Sequence, residues 1–275
     1  LLKLPKLGAV KVNWSRIPAG TPKMATVSQD PSGKYWVAFS CEQSIQPKAK
    51  TKLSVGVDVG IKDVAVTSDG YHSGAPKHTY RYARKLKIAQ RKLARKRKGS
   101  KRYHKQRQAV ARIHATLANS RKDFLHKLTS MLVTQYDVIS VEDLNVKGML
   151  ANRKLAKAVA DVGMYEFSRQ LAYKCQWYGK HLQTIDRWFP STKRCSQCGQ
   201  LHSMPLSTRW LSCDCGNEMD RDENAAKNIQ AEGNRLLNYV EPETHRAGSN
   251  ATARQAMKRS PNTKLKAVSG TQQAA

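Results

Sequence analysis

Between positions 81 and 122 the chain carries 17 Lys or Arg and no Asp or Glu. Protein cannot enclose such a stretch on all sides, because each unpaired buried cation costs several kcal/mol. It is therefore either disordered or an ordered element with a single apolar stripe turned inward. The residues favour order. After Gly99-Ser100, the side chains Val110, Ile113, Leu117, Phe124, Leu128 and Met131 recur at helical spacing. Before that break, Leu86 and Leu93 are the main apolar points of a first arm. The pattern predicts a basic helical hairpin over 81–134, divided at Gly99-Ser100. The cations of Lys92, Arg95, Lys96, Arg97, Lys98, Lys101 and Arg102 are its candidate phosphate contacts.

The whole chain shares this bias, with 49 Lys+Arg against 20 Asp+Glu and a formal charge of +29 over 275 residues. Self-repulsion of that size calls for a polyanionic partner, most simply nucleic acid, with an anionic membrane surface as the lesser alternative. No run of 18 apolar residues exists that could span a bilayer. No secretion signal is visible, although the chain begins with Leu rather than Met. Four of the six cysteines fall in two tight pairs, which in a chain without a secretion signal favours metal ligation over disulfides and a cytosolic setting.

On either side of the basic block the pattern is mixed α/β. Residues 1–50 read as β structure. KLGAVKVNW suggests one strand, and ATVSQDPSGKYWVAFS a hairpin about Pro-Ser-Gly. In LSVGVDVGIKDVAVTSDG, Val55, Val57 and Val59 alternate with Gly56, Asp58 and Gly60, and Asp69-Gly70 marks a turn into a third short strand. YDVISVEDL is a further strand, with Glu142 at its C-terminal end. A helix over roughly 160–179, the strand HLQTIDRWF and a last helix near Asp222 complete the order. From about 240 the chain is polar and is expected to be disordered.

Two constellations carry chemistry. Cys195-x-x-Cys198 and Cys213-x-Cys215 are separated by fourteen residues, and Gly199 and Gly216 each follow the second Cys of a pair. Two short Cys turns facing each other supply the four soft, tetrahedral ligands of a structural Zn²⁺. The second pair has one intervening residue where two are usual, so His202 stands as an alternative ligand. Buried cysteines without metal are the bland alternative. The other constellation is Asp58, Glu142 and Asp222, contributed by a first core strand, a middle strand and the start of the final helix. Singly, each reads as a cap or a turn acid. Together at strand ends they match what Mg²⁺ (or Mn²⁺) requires, and a pair of such ions roughly 3.5–4 Å apart drives phosphodiester hydrolysis. Asp220 reads as a capping residue rather than a ligand.

In order along the chain, GVDVGIKDVAVTSDG, VEDLNV, QLAYKCQWYGKHLQTIDRWFPSTKRCSQCG and CDCGNEMDRDENAAKNI resemble the TnpB (OrfB) proteins of bacterial insertion sequences, relatives of the type V CRISPR effectors. The match covers about residues 1–232. The resemblance implies an α/β, RuvC-like nuclease domain of RNase H fold over 51–190, including the basic hairpin. It also implies a zinc ribbon inserted at 191–219, and the last RuvC motif and helix at 220–239. Residues 1–50 would be the C-terminal part of a wedge β-barrel. Family members carry a further N-terminal stretch, so the chain reads as N-terminally truncated. By the same resemblance Asp58, Glu142 and Asp222 are the catalytic acids. The activity implied is RNA-guided DNA cleavage with a transposon-derived guide RNA, one structural Zn²⁺ and Mg²⁺, in the bacterial cytoplasm and at the nucleoid. The alternatives are a nuclease-silent RNA- and DNA-binding protein, an inert fragment, or a transposase acting directly on element ends.

Overall fold

The computed structural model describes residues 1–5, 8–18, 20–205 and 207–240. The expected disorder of the polar tail falls, past residue 240, outside these residues. In chain order the elements are β1 (Leu2–Leu4), β2 (Gly8–Val10), β3 (Pro22–Gln29), β4 (Tyr35–Cys41), β5 (Ser54–Asp58) and β6 (Val66–Thr67). The two helices α1 (His78–Ala94) and α2 (Lys101–Gln135) precede β7 (Val138–Glu142). Then come α3 (Val146–Ala151), α4 (Ala156–Val162), α5 (Met164–Tyr178), β8 (His181–Ile185), β9 (Trp210–Ser212), β10 (Glu218–Asp220) and α6 (Arg221–Leu237).

A four-stranded sheet in the order β6-β5-β7-β8 organises the molecule. β5, β7 and β8 run parallel, and β6 is antiparallel to β5. Parallel strands buried on both faces need apolar or small residues throughout, and SVGVD and VISVE provide them. On one face, Val55, Val57, Ile139 and Val141 pack with Leu125, Leu128 and Leu132 of α2 and with Phe167 and Leu171 of α5. On the other, α6 lies so close that a Cβ at Gly56 would stand 2.0 Å from the Ala226 carbonyl oxygen. A Cβ at Gly233 of α6 would stand 2.0 Å from Ser140 Oγ. Only glycine permits either approach.

The basic hairpin forms as α1 and α2. Gly99 takes φ +80° at the bend, and Ser100 caps α2 by accepting from the Tyr103 amide at 3.1 Å. The buried side chains of α2 all lie between Leu125 and Val133, so its N-terminal part stands clear of the core with α1. At 35 residues the helix is about 50 Å long.

Three expectations are modified. The helix over 160–179 is two, because Gly163 at φ +75° ends α4 and begins α5. After Asp69-Gly70 there is no strand, only a bridge from His72 to Val66; the third strand is β6, before the turn. The strand HLQTIDRWF stops at Ile185. Residues 1–50 supply four strands, but as two separate hairpins, β1–β2 and β3–β4, with no barrel closure among the described residues. Every residue of β3 is exposed, so this segment has no core of its own. No helix among the described residues is long and apolar enough to cross a membrane.

Candidate active site and metal centre

Asp58 and Glu142 are the last residues of adjacent parallel strands, and Asp222 is the second residue of the helix crossing those strands. The shared strand direction brings the first two to one end of the sheet, and α6 supplies the third there. Their fields meet. Asp58 is pushed up to about 7, first by burial, then by the carboxylates of Glu142 and Asp222. Burial also raises Glu142, opposed by the Ser191 hydroxyl, which donates to its Oε1. Two guanidiniums face Asp222: Arg221 Nε at 3.5 Å from Oδ1, and Arg209 Nη1 at 3.8 Å from Oδ2.

Asp220 is the N-cap of α6, as expected. Its Oδ1 accepts from the amides of Asp222 at 2.8 Å and Glu223 at 3.4 Å. His72, just past the turn after β6, braces the same helix start. Its Nε2 lies 3.0 Å from Glu223 Oε1, and its Nδ1 3.5 Å from Asp63.

The four cysteine sulfurs of the ribbon gather so that all lie within 4.8 Å of one another. Cys195–Cys215 and Cys198–Cys213 are separated by 3.7 and 3.5 Å. A tetrahedron with Zn–S bonds of about 2.3 Å has edges of about 3.8 Å, which these separations approach. Asn217 donates to Cys195 Sγ at 3.2 Å. Burial pushes the Cys195 thiol up, but amides at Cys198 and Gln197 and the Asn217 side chain outweigh it and leave it at about 6. Among the described residues His202 is not in this group, so the one-residue gap does not need it. β9 and β10 close the ribbon as a small hairpin, pairing Trp210 with Asp220.

Sequence reasoning missed the groups that join the two sites. Asn224 accepts from the Ser196 amide at 2.9 Å and donates to the Arg194 carbonyl at 2.7 Å. Asn228 donates to the carbonyls of Ser191 at 2.7 Å and Arg194 at 2.6 Å. Both asparagines are buried on α6, one turn apart. Their signal was available: two Asn at i and i+4 inside a helix disfavour it unless each has a partner.

The seven hairpin cations do not approach the acids. Lys92, Arg95, Lys96, Arg97, Lys98, Lys101 and Arg102 all cluster around the α1–α2 bend and are exposed. Among the described residues, none has a carboxylate within ion-pair distance.

Two family models match the chain. "Probable transposase" (OrfB of IS605) covers residues 35–153, and "Cas12f1-like, TNB domain" covers 165–229. A relative from Streptomyces pristinaespiralis, named "Putative RNA-guided DNA endonuclease", is 45% identical over 225 residues. The alignment takes in 81% of this chain and 56% of the relative. The chain belongs to the TnpB (IS605 OrfB) family. Another member, "Putative RNA-guided DNA endonuclease InsQ" of Escherichia coli K12, is 32% identical over 252 residues, 85% of this chain and 62% of its own length. The chain thus spans only a little over half the length of these curated relatives. Among solved structures, Cas12f1 in complex with sgRNA and target DNA superposes with a TM-score of 0.50 at 18% identity, over 71% of this chain and 42% of that one. At that identity the likeness is one of fold alone.

Proposed function

We propose that this TnpB-family chain is a metal-dependent, RNA-guided DNA endonuclease of a bacterial transposable element. In this reading residues 51–190 and 220–239 form a RuvC-like nuclease domain of RNase H fold. Residues 191–219 are an inserted zinc ribbon, residues 1–50 are the end of a wedge barrel, and the chain works at the nucleoid. The observation that carries it is the meeting of Asp58, Glu142 and Asp222, from three separate elements, at one end of the parallel sheet.

The donor set fits hard divalent cations. A buried carboxylate raised further by two neighbouring carboxylates marks a site of surplus negative charge, and oxygen-seeking ions relieve it. Bound at these oxygens, Mg²⁺ or Mn²⁺ would activate water and neutralise the leaving oxygen of a phosphodiester. The chain's own groups do the positioning. Ser191 orients Glu142, Asp220 and His72 fix the helix start, and Arg209 and Arg221 set the Asp222 carboxylate. The α1–α2 hairpin supplies cations for the backbone of a guide–target duplex, reading charge and shape rather than bases. Cys195, Cys198, Cys213 and Cys215 would hold one Zn²⁺ with every position filled, a structural rather than catalytic arrangement.

The test is to express the chain with its flanking element DNA, purify the complex and assay Mg²⁺-dependent cutting of DNA matching the co-purified RNA. The parent should cut. Asp222→Ala should lose on the order of 10³-fold or more while still holding RNA and DNA. Equal cutting by both would remove the acid assignment. Retained RNA with no cutting by the parent would favour a nuclease-silent binding protein.

A further inference from the structure

Between the first turn of α1, the middle of α2 and α4 lies a cavity of about 340 Å³ that shares no residue with the acids or the ribbon. α2 and α4 pack on the sheet face opposite α6. Ile61, Val64, Phe124 and Val162 make its walls mainly apolar. His78 lines it, is only 6% exposed, and neither of its ring nitrogens has a hydrogen-bond partner. A buried polar group left without a partner is costly, and a ligand is one standard resolution. Phe124 meets the imidazole edge to face, with centroids 6.2 Å apart. Tyr80, also at the cavity, is 82% exposed.

The rim is cationic. Asp161 is the acid present, and it is already engaged by the Thr79 amide at 3.0 Å, the Thr79 hydroxyl at 2.7 Å and Arg121 at 3.0 Å. Lys77, Lys154 and Lys157 are exposed on the rim, with no carboxylate in ion-pair range among the described residues. Burial lowers the pKa of His78, so its ring is neutral at pH 7 and offers one donor and one acceptor.

An apolar slot with aromatic walls, a neutral donor–acceptor pair and a cationic lip matches a nucleotide: base inward, phosphate outward. The volume is that of a small-ligand pocket, suited to one residue of a strand. We infer that this cavity captures a single unstacked nucleotide of the RNA, with its base beside His78 and Phe124 and its phosphate at Lys77, Lys154 and Lys157. RNA is favoured over the cut DNA because RNA recognition characteristically takes splayed-out single-stranded bases, and because the cavity shares no residue with the acids. The assignment of RNA rests on the function proposed above; the nucleotide pocket itself does not.

Two measurements on the full chain separate these levels. In the first, AMP and UMP are titrated while the His78 ring proton resonances are followed by NMR. A saturable shift, absent in Ala158→Phe, which fills the cavity, is expected; no shift in the parent overturns the pocket. In the second, single-stranded RNA and DNA oligonucleotides carrying a photoreactive base are crosslinked and the labelled peptides mapped. RNA should label the Tyr80 and Phe124 peptides, and Ala158→Phe should abolish this while labelling at the α1–α2 bend persists. Bend labelling without cavity labelling overturns this site and leaves the RNA-binding reading standing. Cavity labelling by DNA in place of RNA overturns the choice of RNA. Lys154→Gln with Lys157→Gln, both at the surface and safe for folding, should weaken RNA binding roughly 5- to 30-fold and reduce the log–log salt slope by up to about 2.

Discussion

The ribbon and the acidic cluster adjoin on α6 but are built in opposite ways. The four sulfurs of the ribbon come from a span of twenty-one residues, and turn geometry alone brings each pair together. The acids come from β5, β7 and α6, and nothing local brings them together. They meet because parallel pairing aligns two strand ends and because Gly56 and Gly233 let a helix lie against the sheet. The ribbon is thus a local site, with four sulfurs placed to draw folding energy from a metal, whereas the cluster borrows its geometry from the core. Perturbations of metal, of charge and of packing should therefore separate the two.

The largest separation is in metal dependence. Cys213→Ser should drop bound zinc from about one per chain toward zero by elemental analysis, since structural zinc contributes about 10–16 kcal/mol to such modules. The cooperative melting of the sheet core should survive. Loss of core melting together with zinc would show that the ribbon is not a local unit.

The next contrast is electrostatic. Asp58 has a folded pKa of about 7, above its ordinary 3.8, so its contribution to stability is fully present below about pH 4 and is lost as pH rises through 7. Asp58→Asn should match the parent near pH 4 and exceed it by about 2–4 kcal/mol at pH 8, in Mg²⁺-free buffer without chelator. The same substitution should abolish cutting. A parent as stable as Asp58→Asn at pH 8 would mean the acids are not crowded.

Packing gives a comparable effect of opposite sign. Gly56→Ala drives a methyl into the Ala226 carbonyl and the Gln230 amide, both backbone, and should cost about 3 kcal/mol in denaturant unfolding. It should also lower cleavage, because α6 carries Asp222, while zinc content stays at one. Unchanged stability would show that α6 does not rest on β5.

The smallest effect is at the hairpin. Lys96→Gln should leave stability within about 0.5 kcal/mol and reduce the salt slope of nucleic-acid binding by nearly one unit. No change in slope would exclude Lys96 from the phosphate contacts.

How far the sequence could be read follows the same division. The cysteine spacing was enough to locate the ribbon cluster, but it left His202 open as a ligand, and only the gathered sulfurs set it aside. The hairpin was legible because charge and helical period coincide within one stretch. The acids were nameable from their strand-end contexts and from the resemblance, but their mutual pressure on Asp58 is a property of the assembled sheet. Ser191 and His72 were invisible for that reason, since each acts on a residue from another element, and the paired Asn224 and Asn228 signalled a need for partners without saying which. The break at Gly163 was missed because a lone glycine in a helical pattern is ambiguous until its φ is known. The β3–β4 hairpin formed as read, but its pattern could not say whether neighbouring strands would close around it.

The place of α6 in the chain has a consequence in time. Asp222 leaves the ribosome more than half the chain after Asp58, at ordinary synthesis rates roughly 8–30 s later. In that interval β5 and β7 can pair, and the basic hairpin, complete by Gln135, can already be holding nucleic acid. The nascent chain can thus present its cationic hairpin to a polyanion before its three acids stand together, and the acidic cluster is sealed only as the last strap is laid across the sheet.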